Sequence, residues 1–304
     1  MDLFHLEAFL AVVREGGFSK AATVLYRTQP AISQIIRRLE NELGQPLFDR
    51  SSRRGVLTDA GRVLLDHAER LLNFREQALA AMADVQHLRS GHLVIATNEL
   101  TCLYLLPLLH EYRRLHPAVR VSVRRARASR IPGDVRDYGA DLGVVTYQPL
   151  GADLQSVIVY RDELAFVVPR RHRFTKQREV TIKDLGRELF VAHHVASPYR
   201  VRVVETFRKR RVTLQMPVEM PTIDAIKKFV AAGNGVALLP AVAVESELRR
   251  RELVRVHVAE LSFERPVRLV YRRGGTRSHA STAFLTLVEA HAAKSEGPYT
   301  FVRE

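Results

Sequence analysis

Between Thr28 and Arg38 the chain carries side chains suited to the edges of DNA bases: Thr28, Gln29, Pro30, Ala31, Ser33, Gln34, Arg37 and Arg38. Gln can pair with adenine, Arg with guanine or phosphate, and Ser with either, while Pro or Ala can touch a thymine methyl. Ile32, Ile35, Ile36, Leu39 and Leu43 recur among them at helical spacing, so they claim the core face and leave the polar set outside. Thr28 reads as the helix cap, and Pro30 falls in the first turn, where a missing N–H is harmless. An ordinary surface helix would carry the same alternation, because polar outer faces are the default.

A second set of polar residues lies beyond the ends of predicted strands. It comprises Asn98 and Thr101, Ser129 and Arg130, Thr146, His193 and His194 with Ser197, and Thr222. In open α/β sheets ligands sit there, against helix N-termini with outward N–H groups. Arg130, Arg127 and the two histidines favour a carboxylate or other anion; Glu99 opposes one unless it points away. Each of these residues could equally be a plain helix cap. His193 and His194, adjacent on a strand end, are expected to point to opposite sides and so not to chelate one metal. No Gly-x-Ser-x-Gly elbow, P-loop or Cys/His ligand spacing is present, so neither an enzyme nor a metal or cofactor is expected. Cys102, the single cysteine, allows no internal disulfide and reads as a buried, inert thiol, with a thiol of the ligand pocket as the alternative.

The elements that must position these groups follow from pattern. Leu3, Leu6, Phe9, Leu10 and Val13 form one apolar stripe, stopped by Gly16-Gly17. Ser19 caps a helix through Ala21, Ala22, Val24 and Leu25. Leu47, Phe48, Val56 and Leu57 can anchor a short hairpin, and Arg50, Arg53 and Arg54 at its basic tip are candidate phosphate contacts. Thr58 then caps a long helix, Asp59 to about Arg89. Its Leu64, Ala68, Leu71, Arg75, Ala78, Met82 and Val85 form a heptad seam interrupted only by Arg75; an amphipathic helix on a domain surface would look alike, but no neighbouring core stands ready to be covered, which favours a dimerising linker. From His92 onward short β-branched runs alternate with helices, as in a parallel sheet flanked by helices.

Charge gives less guidance than its size suggests. The 304-residue chain has a formal net charge of +14, yet residues 1–58 hold eight Lys/Arg against six Asp/Glu, and residues 59–89 four against five. The excess therefore sits in residues 90–304, with 35 against 22, and points to an anionic partner of the large domain or simply to a solvated basic surface. No signal-type N-terminal segment and no apolar run long enough for a bilayer occur, so a cytoplasmic protein without membrane contact is expected.

Phe18-Ser19-Lys20-Ala21-Ala22, Gln29-Pro30-Ala31-Ile32-Ser33, the Arg37-Arg38-Leu39-Glu40 helix end and Leu43-Gly44-Gln45-Pro46-Leu47-Phe48-Asp49-Arg50 together resemble the winged helix-turn-helix of LysR-type transcriptional regulators. Asp141-Leu142-Gly143-Val144-Val145, Val167-Val168-Pro169 with His172, and Gly233-Asn234-Gly235-Val236-Ala237-Leu238-Leu239-Pro240 resemble the effector domain of the same family. The resemblance spans essentially the whole chain. It implies an α/β protein with a helix-rich winged helix-turn-helix domain (1–58), a linker helix (59–89) and a two-lobed effector domain similar to periplasmic binding proteins (90–304). Lobe I would comprise 92–162 and 267–295, lobe II 163–266, with hinges near Glu163 and Arg265-Pro266. It implies double-stranded DNA, a small inducer and RNA polymerase as partners of a homodimer or homotetramer. A constitutive architectural DNA-binding protein with a vestigial pocket, and a DNA-tethered enzyme, are the competing expectations.

Overall fold

The computed structural model describes residues 1–49, 55–86, 91–195, 197–274, 277–294 and 297–303. Three helices form the N-terminal core: α1 (Leu3–Glu15), α2 (Phe18–Val24) and α3 (Gln29–Leu43). Asp2 caps α1 by accepting the Phe4 N–H, and Gly16 and Gly44, both at φ 68°, close α1 and α3 in the left-handed conformation that glycine tolerates. Leu6, Phe9, Ala21, Ile32, Ile36 and Leu39 are buried together. Phe48, from the segment after α3, inserts its ring 5.4 Å from Phe9 and 5.3 Å from Phe18. Phe48 also forms an antiparallel bridge with Leu57, so a short hairpin stem does follow the helices. Leu43 departs from the expected core face and is 40% exposed, being the last residue before the Gly44 turn.

The long helix α4 (Asp59–Gln86) corrects one expectation. Leu64 and Ala68 are buried in the N-terminal core, so the first half of the seam covers its own domain. Further along, Leu71, Leu79 and Met82 stand exposed. The expected end near Arg89 lies outside the described residues.

The large domain runs β1 (His92–Thr97), α5 (Leu106–Leu115), β2 (Arg120–Arg125), α6 (Ile131–Arg136), β3 (Leu142–Val145), β4 (Leu154–Pro169), β5 (Leu189–His193), α7 (Pro198–Lys209), β6 (Gln215–Met220), α8 (Ile223–Ala231), β7 (Ala237–Pro240), α9 (Ala241–Arg249), β8 (Leu253–Val256), β9 (Glu264–Arg272), α10 (His279–Lys294) and β10 (Tyr299–Arg303). Strand order in the first lobe is β10-β4-β9-β3-β1-β2. β1 pairs in parallel with β2 and β3, as alternation with helices demands. β9 and β10, however, pair antiparallel, so the sheet is mixed rather than wholly parallel. In the second lobe β7 and β8 flank the far half of β4, and β5 pairs in parallel with β6.

β4 is one unbroken strand that serves both lobes, pairing with β9 from Leu154 to Glu163 and with β7 from Leu164. Separate cores flank it, one around Tyr104, Tyr112 and Phe284, the others around Phe166, Phe174 and Phe207 and around Ile226 and Val244. Two rods, β4 and β9, therefore carry the chain between lobes.

Candidate DNA interface and interlobe site

On α3 the predicted division of faces is realised. Thr28, Gln29, Pro30, Gln34, Arg37 and Arg38 are exposed, and Ala31 and Ser33 half-buried. Thr28 caps the helix by accepting the Ala31 N–H, and Gln29 donates to the Ser33 hydroxyl at 3.0 Å, holding two candidate base contacts side by side. Neither Arg37 nor Arg38 has an ion-pair partner among the described residues. Arg50, Arg53 and Arg54 lie outside the described residues.

Two features of this region escaped the sequence reading. Glu40 is 9% exposed and accepts the Leu47 N–H at 2.8 Å and the Phe48 N–H at 3.4 Å, so a buried carboxylate ties α3 to the hairpin stem. A charged residue on the apolar face of a helix was the available signal. Tyr26, at φ 53° in the turn before α3, is 93% exposed, an aromatic ring standing beside the polar face.

Between the lobes, the first wall is the turn after β1. Asn98 accepts the Leu100 and Thr101 N–H groups through its side chain, at 3.0 and 2.8 Å. Thr101 itself is fully buried: its hydroxyl meets that of Thr97 at 2.6 Å and the Val144 carbonyl at 3.3 Å. Its hydroxyl braces the turn from beneath. Glu99 is paired with Arg125 at 3.7 Å, which offsets its charge. Ser129 and Arg130 are exposed at the start of α6, and Thr146 is half-buried after β3. Cys102 is half-buried rather than buried, and burial pushes its thiol up.

The opposite wall consists of the ends of β5 and β6. His194 donates its backbone N–H to the Met220 carbonyl at 3.0 Å, which brings His193, His194 and Thr222 to one edge. The histidine rings do not diverge: their centroids are 4.8 Å apart, because β5 ends at His193 and the chain bends. Ser197 and Thr222 cap α7 and α8, accepting the Arg200 and Ala225 N–H groups. From α7, Tyr199 reaches across and donates to the Thr146 carbonyl at 3.3 Å, while Leu100 and Leu103 of the first lobe pack on the second.

Where β4 and β9 cross between lobes, Asp162 and Arg265 face each other in register, 5% exposed each. Arg265 donates to Asp162 and to the Tyr104 hydroxyl, which in turn donates to Asp162. Burial, reinforced by the Asp162 charge, holds the Tyr104 proton far above the usual phenol range. Arg268, three residues further along β9, is 7% exposed. No apolar periodicity flags such buried guanidiniums: the sequence marked Arg265 only as a hinge position and did not mark Arg268.

A last contact joins the large domain to α4. Arg70 of α4 pairs with Asp137 at 3.2 Å, and the Phe74 ring meets that of Tyr138 at 5.0 Å. Both partners follow α6 directly, and the Arg272 guanidinium stacks 4.3 Å from the Tyr138 ring centre. One short helix thus has the exposed Arg130 at its start and a contact with α4 at its end.

Residues 3–62 match the family described as bacterial regulatory helix-turn-helix protein, lysR family, and residues 86–293 match the LysR substrate binding domain. A probable RuBisCO transcriptional regulator of Gracilaria tenuistipitata var. liui is 33% identical over 96% of this chain and 98% of its own. One from Cyanidium caldarium is 31% identical over 93% and 91%. Among solved structures, the LysR family regulator CbnR superposes with a TM-score of 0.75 at 18% identity, covering 95% of this chain and 99% of its own. The CcmR regulatory domain of Synechocystis PCC6803, in complex with 2-PG, gives 0.61 at 23% over 68% and 99%. No described helix is long and apolar enough to cross a membrane. With both family domains present in order along nearly its whole length, the chain belongs to the LysR family and is a DNA-binding transcriptional regulator, not an enzyme.

Proposed function

We propose that this regulator binds an inverted-repeat operator in the cytoplasm as a homodimer or homotetramer, with α3 in the major groove and a small anion between the lobes setting its action on RNA polymerase. The open polar face of α3 carries the proposal. In helix-turn-helix proteins the first turns of the second helix read base edges while positions nearer its end meet the backbone. Gln29, Pro30, Ala31, Ser33 and Gln34 are accordingly the base readers, and Arg37 and Arg38, with the hairpin tip Arg50, Arg53 and Arg54, the phosphate contacts. Exposed Leu71, Leu79 and Met82 on α4 supply an apolar stripe for a second copy. Gln29→Ala is expected to change base preference, and Arg38→Ala to weaken all sequences alike while lowering the salt slope by about 1. Binding across a randomised operator set, repeated at several salt concentrations, distinguishes them; an unaltered slope for Arg38→Ala removes its phosphate role.

For the ligand, support comes from the caps at Ser197 and Thr222, Arg130 at the start of α6, and the buried guanidiniums of Arg265 and Arg268 on β9. The structural neighbour that holds 2-PG, a small anion, agrees in chemistry, and the relatives' names favour RuBisCO genes as targets. Coupling runs through α6, whose far end holds the linker by Arg70–Asp137 and Phe74–Tyr138. A ligand that prefers one arrangement of that contact shifts the whole assembly. On the full-length protein, 2-PG at 100 times its dissociation constant should add about 2.7 kcal/mol of stability, read as a rise in Tm. Arg268→Gln should abolish the rise. Arg70→Ala should keep it while removing the effect of 2-PG on operator affinity. No rise with 2-PG or related carboxylates and phosphates would favour the architectural reading.

A further inference from the structure

On the second lobe, β8 has a neighbour on one side only. It pairs with β4 through Leu253, Val254, Arg255 and Val256, and no described strand lies on its other edge. A groove of about 540 Å³ runs along that edge, with Val254 to His257 on one side and Phe174 to Thr181 on the other. Consecutive residues of β8 line it, although successive side chains point to opposite faces of a sheet. A groove bordered in that way meets the strand edge-on, where backbone N–H and C=O groups await a partner. Its size lies within the ordinary range for ligand clefts, and Phe174, Val180 and Val256 give it an apolar floor.

Charge selects the occupant. Arg178 and Arg210 line the groove, and Lys176, Lys209 and Arg211 flank them; none has an ion-pair partner among the described residues. Glu179 and Glu260 are the acids facing them. The Arg250–Arg251 turn that leads into β8 adds further positive charge. A second copy of this chain would bring the same cations to the edge, and a DNA duplex offers no extended strand of alternating donors and acceptors. We propose that the free edge of β8 is a docking site for an extended acidic segment of another protein, which adds to the sheet as a strand. Backbone pairing supplies the affinity in this mode, and side-chain pockets with surrounding charge supply the selection. The site lies outside the interlobe crevice and owes nothing to the effector reading.

The test uses the full-length protein and a fluorescent octapeptide of alternating glutamate and valine. Controls are its lysine–valine counterpart and the same acidic peptide N-methylated at every second residue. The acidic peptide should bind about tenfold or more tightly than the basic one, and N-methylation should remove that advantage. Amide hydrogen exchange at Val254 to His257 should slow on binding. Arg178→Glu combined with Arg210→Glu should weaken the peptide about tenfold and leave operator affinity unchanged. Equal binding of the N-methylated peptide would mean charge attraction alone. Unchanged exchange along β8, or no binding of the acidic peptide, would also overturn the proposal. Displacement by a non-operator duplex, with the double reversal weakening DNA, would reassign the surface to nucleic acid.

Discussion

Asp162→Ala is expected to destabilise the effector domain by about 3–5 kcal/mol, because it leaves the Arg265 guanidinium buried with its carboxylate gone. Both groups are 5% exposed, and Tyr104 is 1% exposed beside them, so water cannot take the place of the carboxylate without opening the core. Asp162 and Arg265 are cross-strand partners on the two strands that join the lobes, and the ion pair lies on that join. Asp162→Asn keeps an acceptor for Tyr104 and should lose less than the alanine variant. Arg265→Met combined with Asp162→Leu removes both charges and should recover much of the loss, since an apolar pair of similar volume leaves no orphaned ion. Urea midpoints of the transition belonging to the effector domain decide the matter. A loss under about 1 kcal/mol for Asp162→Ala would mean that the pair is solvated and does not brace the hinge.

The hinge also marks the limit of what the sequence made legible. The apolar run Leu164 to Pro169 reads as a strand by itself, whereas the preceding Leu154 to Glu163 does not, because Arg161-Asp162-Glu163 interrupts the apolar run at the point where β4 leaves one lobe for the other. Strand patterning reports burial against a core, and at a junction the core is replaced by an ion pair. The α3 reading fared better since its caps, Thr28 and Gly44, and its apolar period are local properties. Thr101 shows the opposite limit: a polar residue at a strand end signals a turn, and its hydrogen bond to the Val144 carbonyl, distant in sequence, is not legible from the local pattern. Likewise α9 and β8 were passed over although Leu253-Val254-Arg255-Val256 is a short β-branched run, because β8 is an edge strand and half its side chains are wet. Buried charges such as Glu40 and Arg268 violate the pattern that finds everything else, and their roles follow only from their partners.

Gly61→Ala should separate the DNA reader from its linker, and its sign is opposite to what helix propensity alone demands. Gly61 is in the first turn of α4, where alanine would ordinarily gain about 1 kcal/mol over glycine. A Cβ there would lie 2.2 Å from the Leu47 carbonyl oxygen and 2.8 Å from a Leu57 methyl. That oxygen belongs to the hairpin stem and already accepts the Thr58 N–H at 3.0 Å, so it cannot retreat without breaking the stem. Overlap with backbone costs about 1–3 kcal/mol or more, which outweighs the propensity gain. The strain falls on Leu47 and Phe48, whose N–H groups Glu40 holds against α3, so the stem and the reader helix shift together. Operator affinity should fall steeply, and the N-terminal thermal transition should drop while that of the effector domain stays in place. Gly133→Ala on α6, where a Cβ meets nothing within 4 Å, supplies the contrast and should be neutral or slightly stabilising. If Gly61→Ala instead behaves like Gly133→Ala, α4 packs less closely on the hairpin than 2.2 Å requires, and the reader is free to turn relative to the linker.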